Sequence, residues 1–420
     1  MKSSLSSFTF PNGLTIIHSL RPESLTVSLS LRVIAGSIYE SFEEIGVAHF
    51  LEHIVSDGTK KYPSKKLLTN LIDEKGGFRN AFTNKETIEY VVKVLKEESE
   101  TAFEYISEII RNPLIREEDI QKQKNIIEQE INRFKSDPEK LAQRQIYSLL
   151  FPGIRVGGLV TGDVEDVKRI TGSSIRSYHN KTHNTKNMVL VVCGNISLVQ
   201  AKEFTVKYFG DMRSDKKLPL STVQVVQRTE PLVQVIPGLK QAILTVGYRA
   251  FKTDEPEHYV TDLLSMVLTR SKSSRLYTEI REKNSLAYSI NSSNFNGRNI
   301  GIFSINVGLA KDKILTCLNI IHTELKNITL TPISDIELNR ALAFIRSSIV
   351  FSFENTLNEA SHYSNFWCST NKIQSVDQEL LNYESVAKNP DKILATAQKL
   401  FSVKPSILVT SAEIIDLDKM

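Results

Sequence analysis

Cysteine is scarce: Cys193, Cys317 and Cys368 are the only three in 420 residues, far apart and without a CxxC. An odd, widely spaced set supports neither a disulfide scaffold nor a thiolate zinc cluster, and fits reduced, buried thiols in a cytoplasmic protein. No stretch approaches 18 consecutive apolar residues, and Met1 to Ser7 has no apolar core of signal-peptide length, so the expectation is an unexported chain with no membrane span. A phosphate-cradling glycine loop is also lacking. Gly76-Gly77 and Gly157-Gly158 stand outside any GxGxxG or GK[ST] context, which leaves nucleotide chemistry without support. Charge of one sign is not in excess either: 52 basic residues against 48 acidic give a net +4, with no long like-charge block. The short run Lys60-Lys61-Tyr62-Pro63-Ser64-Lys65-Lys66 reads as solvated surface, since nucleic-acid binding wants a broader basic face with base-reading or stacking residues.

What is present is His49-Phe50-Leu51-Glu52-His53. On a helix, His49 and His53 stand at i and i+4, so their rings lie one above the other, and Glu52 at i+3 borders the same face. The order HxxEH is the inverse of HExxH and has the outline of an inverzincin zinc site. Chance would produce it in roughly one chain of this composition per hundred, so a third ligand is needed to give it weight. Catalytic zinc takes three protein ligands and keeps a fourth position open.

The search for that ligand leads to residues 119 to 134, whose Ile120, Ile126, Ile127, Ile131 and Phe134 cluster in one arc at 100° per residue. Glu130 falls inside the arc and Glu128 outside it. A carboxylate aimed into an apolar layer must be paired, hydrogen-bonded or metal-bound. Two neutral imidazoles and the Glu130 carboxylate would satisfy zinc, and a salt bridge to a neighbouring Lys or Arg would satisfy Glu130 equally well. His179 and His183 repeat the i, i+4 spacing without an accompanying glutamate, and the polar Asn180-Lys181-Thr182 between them makes both surface residues in this reading.

The chain repeats itself once. The alternating strand Leu25 to Val33 has a counterpart in Gln241 to Tyr248; a helix ending at Glu74-Lys75-Gly76-Gly77 and leading into strands through Leu95 matches one ending near Glu282-Lys283-Asn284 and leading into strands through Val307. Each half closes on a β run, Met188 to Val192 and Ile407 to Thr410. Strands and helices are grouped rather than strictly alternating, which predicts an α+β fold of two related domains, each a mostly antiparallel mixed sheet covered by helices. The polar, proline-containing segment from Arg213 sets the boundary: domain one spans 1–212, a linker 213–229, and domain two 230–420.

HFLEH followed 77 positions after its last histidine by Glu130, within Asn125-Ile126-Ile127-Glu128-Gln129-Glu130-Ile131, resembles the pitrilysin and insulinase metallopeptidases, which include the mitochondrial processing peptidases. Phe8-Thr9-Phe10-Pro11-Asn12-Gly13-Leu14 is similar to the family's opening hairpin. Gly76-Gly77 with the strand through Asn80, Ala81, Phe82 and Thr83 is similar to its substrate-binding segment, although the residues alone describe an ordinary interior strand. Ser274-Arg275-Leu276 and Arg281-Glu282-Lys283-Asn284-Ser285-Leu286-Ala287-Tyr288 resemble its second-half signature.

The resemblance implies a zinc endopeptidase with one Zn2+ per chain on His49, His53 and Glu130, and with Glu52 as the base that activates water. It further implies a peptide or unfolded polypeptide bound as an added strand along Asn80 to Thr83, and a clamp on backbone and oxyanion by Arg281 and Tyr288. Active members carry a glutamate seven residues before the distal ligand; here that position holds Gln123, which can hydrogen-bond but carries no charge. Because the chain resembles half of the family's four-domain clamshell, a homodimer joining domain one of one chain to domain two of its partner is expected. A scaffold subunit that has lost activity, or a protease needing a second subunit, is the rival.

Overall fold

A computed structural model describes residues 4–219 and 225–416; part of the 213–229 linker, residues 220–224, lies outside the described residues, as do 1–3 and 417–420. The first sheet has six strands: β1 (Ser4–Thr9), β2 (Thr15–Leu20), β3 (Thr26–Val33), β4 (Phe78–Thr83), β5 (Ile88–Leu95) and β6 (Met188–Gly194), in the order β1-β2-β6-β3-β5-β4. The second has five: β7 (Leu232–Val235), β8 (Ala242–Ala250), β9 (Ala287–Asn296), β10 (Gly301–Leu309) and β11 (Ser406–Ser411), in the order β7-β11-β8-β10-β9. Removing β1 makes the two orders the same. The pairing repeats as well: β6 runs parallel to β2 and β11 parallel to β7, and every other pair is antiparallel. The duplication read from the sequence is therefore a duplication of topology, and the fold is α+β with two mixed, mostly antiparallel sheets.

The compact units do not divide at one point in the chain. The first gathers the described residues of Met1–Asn132, Leu159–Ser221 and Val350–Ser375; the second gathers Arg133–Gly158, Thr222–Ile349 and Val376–Met420, again as far as described. This differs from two contiguous spans, 1–212 and 230–420, because each half of the chain lends one helix to the other sheet. In the second unit, helix Pro138–Leu150 lies against β8 and β11 so closely that a Cβ on Gly247 would stand 2.6 Å from Ile146 Cγ1. In the first unit, helix Thr356–Thr370 covers β3 and β6.

The Thr356–Thr370 contact is polar, which hides it from a reading of hydrophobic periodicity. Val27, Leu29, Leu31 and Val33 fill one face of β3, and Ser28, Ser30 and Arg32 on the other face are buried too. Ser28 meets Thr356 at 2.8 Å, Ser30 donates to Ser364 at 2.9 Å, and Arg32 binds Glu89 at 2.6 Å and Ser364 at 2.9 Å. Glu359, with no exposed side-chain surface, accepts from Ser19 at 2.6 Å and from Arg21 at 2.9 Å. These partners satisfy polar groups that burial would otherwise penalise.

Candidate metal centre

The motif occupies α1 (Val47–Ile54), whose start is fixed by Gly46 at φ +86°, where a Cβ would stand 2.4 Å from the Thr161 carbonyl oxygen. Buried Glu40 accepts from the amides of Gly46 at 3.1 Å and Ala48 at 2.9 Å, placing a negative charge at the helix's positive end. Val47, Phe50, Leu51 and Ile54 are buried and lock the rotation of the helix, leaving His49, Glu52 and His53 together on its half-buried side. The two imidazole centroids are 4.6 Å apart.

The long helix forms as the sequence predicts; between α1 and it lie α2 (Lys65–Asp73) and α3 (Ser99–Arg111), which makes it α4 (Glu117–Lys135). It brings Glu130 Oε2 to 3.0 Å from His49 Nε2 and 3.7 Å from His53 Nε2. Its buried stripe is narrower than the 100° count suggests. Ile120, Gln123, Ile127 and Ile131 are buried, whereas Ile126 is exposed and the Glu130 side chain remains 43% exposed. Glu130 thus reaches the histidines from the edge of the apolar layer rather than from within it.

Gln123 is the interior member of that helix. Its Oε1 is 3.0 Å from His53 Nδ1, and its Nε2 donates to Asp57 Oδ2 at 2.6 Å. Asp57 is buried one turn beyond His53 and is paired with Lys65 at 3.0 Å. The sequence reading did not single out Asp57; its spacing of four from His53 was the only local signal.

Glu52 accepts from the Thr83 hydroxyl at 2.6 Å and stands 3.4 Å from His49 Nδ1. Thr83 ends β4, and β4 is an edge strand rather than an interior one. Phe78 and Phe82 are exposed along it, and the amide of Ala81 is met by Asn80 Oδ1 at 3.0 Å. In an antiparallel pair the backbone groups of alternate residues point to opposite sides, so Arg79, Ala81 and Thr83 share the unpaired edge.

The electrostatics follow from close packing of two rings and two carboxylates. Burial works to lower the His49 pKa, but hydrogen bonds donated to the Glu130 and Glu52 carboxylates outweigh it and raise it to about 9. His53 is held below the ordinary imidazole value, first by burial and then by the charge on His49. Burial opposes the charge on Glu52, yet the His49 contact and the Thr83 hydrogen bond keep its carboxyl below the usual range.

The donor set fits zinc. Ligand atoms of His49, Glu52 and His53 lie within 4.8 Å of one another, and the 3.0 and 3.7 Å separations to Glu130 bracket the edge of about 3.4 Å expected of a tetrahedron with zinc–ligand bonds near 2.0–2.2 Å. Two imidazoles and the Glu130 carboxylate would hold the ion, while Glu52 is turned toward Thr83.

The remaining candidates divide between the two units. Arg281 and Tyr288 belong to the second unit: Tyr288 is 63% exposed on the edge strand β9, and the Arg281 guanidinium sits 5.3 Å from the Tyr277 ring centroid in the wide-turn helix Tyr277–Lys283. His179 and His183 are not surface residues. They stack at 4.7 Å inside the first unit, His179 Nε2 meeting the Ile110 carbonyl at 2.7 Å and buried His183 Nε2 meeting the Tyr90 hydroxyl at 3.1 Å. The segment between them that reads as a polar loop is the last turn of helix Gly172–Thr182, so one face of it is interior. Among the described residues no helix is long and apolar enough to cross a membrane, and all three cysteines are free and buried.

Comparison with known proteins agrees over most of the chain. Residues 15–162 match the family model described as insulinase (peptidase family M16), and residues 169–344 match the model described as peptidase M16 inactive domain. A protein of Rickettsia felis named "uncharacterized zinc protease" is 27% identical over 406 residues, covering 96% of each chain. The "uncharacterized zinc protease YmxG" of Bacillus subtilis is 26% identical over 395 residues, covering 94% of this chain and 95% of that one. Among solved structures, a protease from Helicobacter pylori superposes with a TM-score of 0.88 at 18% identity, covering 98% of this chain and 100% of the other. A peptidase M16 inactive domain from Pseudomonas fluorescens superposes with a TM-score of 0.87 at 16% identity, covering 98% and 99%.

Proposed function

Because the chain belongs to peptidase family M16, we propose that it is a zinc-dependent endopeptidase acting on short or unfolded peptide segments. The observation that carries this reading is the meeting of His49, His53 and Glu130 beside a Glu52 that is tied to an open strand edge. A scaffold has no physical need of that convergence.

Bound zinc supplies Lewis acidity to the scissile carbonyl and lowers the pKa of water toward about 7. The peptide lies antiparallel or parallel along β4, its backbone hydrogen-bonded to the outward groups of Arg79, Ala81 and Thr83, displacing Asn80 Oδ1 from the Ala81 amide, with Phe78 and Phe82 beside its side chains. Asn80 to Thr83 thereby carry the substrate to within reach of Glu52. Glu52, ionised and held by Thr83, accepts a proton as water oxygen bonds to the carbonyl carbon, and returns it to the nitrogen as the C–N bond breaks. Gln123 holds His53 in place from behind.

Arg281 and Tyr288 are assigned to the substrate backbone and the developing oxyanion, contributed by a second copy of the chain in a homodimer. Their exposure in the second unit supports an intermolecular role. Three buried thiols suit a reducing, cytoplasmic setting.

A quenched-fluorescence peptide library tests the activity. Cleavage by the wild-type chain, reduced about 100- to 10,000-fold in Glu52→Gln, supports the endopeptidase. Zinc bound at one per chain with no peptide cut would favour a binding subunit instead.

A further inference from the structure

Gln123 is buried, and both ends of its amide are committed: Oε1 faces His53 Nδ1 at 3.0 Å and Nε2 faces Asp57 Oδ2 at 2.6 Å. The orientation of a primary amide is set by its neighbours, and here one neighbour leaves no choice. The Asp57 carboxylate, ion-paired with Lys65, accepts hydrogen bonds, so the amide NH2 must face Asp57 and the amide oxygen must face His53. An amide oxygen in turn only accepts, so Nδ1 of His53 must carry the ring's proton. The lone pair is then on Nε2, the nitrogen that looks toward Glu130 at 3.7 Å. A histidine ligates a metal through the nitrogen without a proton, and its other nitrogen's partner decides which one that is.

We propose that Asp57 is a positioning residue of this centre, acting through Gln123 to fix the His53 tautomer and to supply, one residue further out, the negative charge that position 123 lacks. The inference rests on the zinc-site reading above. Lys65 anchors the outer end at 3.0 Å from Asp57 Oδ1, so the relay runs Lys65, Asp57, Gln123, His53, with each acceptor matched to a donor. The Asp57 carboxylate meets Gln123 and Lys65, so it acts on His53 through Gln123. Asp57 also accounts for why glutamine is tolerated at 123: a glutamate there would put two carboxylates in hydrogen-bond contact.

The relay makes a transposition prediction that general packing does not. Asp57→Ala frees the amide to rotate, Glu in place of Gln123 sets two carboxylates against each other, and the double variant Asp57→Asn/Gln123→Glu restores an acceptor toward His53 with a donor behind it. The zinc dissociation constant of the full-length chain, measured by chelator competition, reads each case. Asp57→Ala and Gln123→Glu are expected to weaken zinc by about 10- to 100-fold each, and the transposed pair to return to within a few-fold of wild type. A second readout needs no metal: in histidine-labelled zinc-free protein, 15N–1H correlations should place the His53 proton on Nδ1, and Asp57→Ala should yield a mixture of tautomers. Wild type binding zinc while Asp57→Ala binds it equally tightly overturns the relay alone. So does a transposed pair weaker than both single variants. A wild-type chain that takes up no zinc removes the reading beneath it as well.

Discussion

Glu130 Oε2 lies 3.0 Å from Nε2 of His49 across 81 residues of sequence, on a helix whose buried stripe passes beside the carboxylate rather than through it. That contact converts a pair of histidines on one helix into a three-donor set. The Glu130 side chain, 43% exposed, also leaves that side of the centre toward solvent.

The unpaired edge of β4 gives a prediction about substrate. Replacing Ala81 by proline removes an outward amide while leaving the pairing with β5 to the other residues. Steady-state kinetics should show KM raised about tenfold, the worth of one or two hydrogen bonds, with zinc content unchanged. An unchanged KM would place the peptide elsewhere.

The homodimer is tested by mixing inactive subunits. In a trans arrangement, an equal mixture of Glu52→Gln and Tyr288→Phe chains recovers about a quarter of wild-type activity, because half the dimers carry one intact site. Activity no greater than that of either variant alone would mean that both residues act within one chain.

Acid lability follows from the interior histidines. Burial lowers the pKa of His18, His179 and His183 from the ordinary 6.5, with a smaller push from His179 on His183 and a backbone hydrogen bond opposing it at His18 and at His179. The unfolded chain therefore takes up protons below pH 6.5 that the folded chain refuses. The stability is intact above 6.5 and is lost as pH falls, at up to about 1.4 kcal/mol per pH unit for each neutral histidine. In zinc-free protein His49 has the opposite sign: raised to about 9, its contribution is full below 6.5 and fades toward pH 9, so between pH 7 and 5.5 it offsets part of the acid slope. Denaturant unfolding at pH 7 and 5.5 measures the loss, and His183→Gln should flatten it.

Glu359 is the deepest charge in the polar layer under helix Thr356–Thr370. Glu359→Ala removes the carboxylate that Arg21 and Ser19 share and is expected to cost about 3–5 kcal/mol of unfolding free energy. If the loss is below 1 kcal/mol, the layer is not what holds this helix to the sheet.

Those buried charges also mark where sequence reasoning runs out. The strands, the duplication and the ligand spacing are local patterns, and residues 25–33, 49–53 and 119–134 disclose them without help from the fold. Ser28, Ser30 and Arg32 look like a solvent-facing side of a strand; only the return of the chain 328 to 334 residues later covers them. The same dependence on distant neighbours hid His183, which Tyr90 partners, and Asp57, whose role exists only because Gln123 stands 66 positions away. Helical counting placed Glu130 in the right arc but could not tell the middle of that arc from its edge, where Ile126 is exposed and Ile127 buried.

The most direct test is the metal content of the purified full-length chain beside Glu130→Gln, read by elemental analysis after dialysis against trace zinc. One zinc per wild-type chain, falling toward zero in the variant, is the outcome expected of a centre shared by His49, His53 and Glu130. Wild-type chains without zinc, or a variant that keeps its full complement, would contradict it.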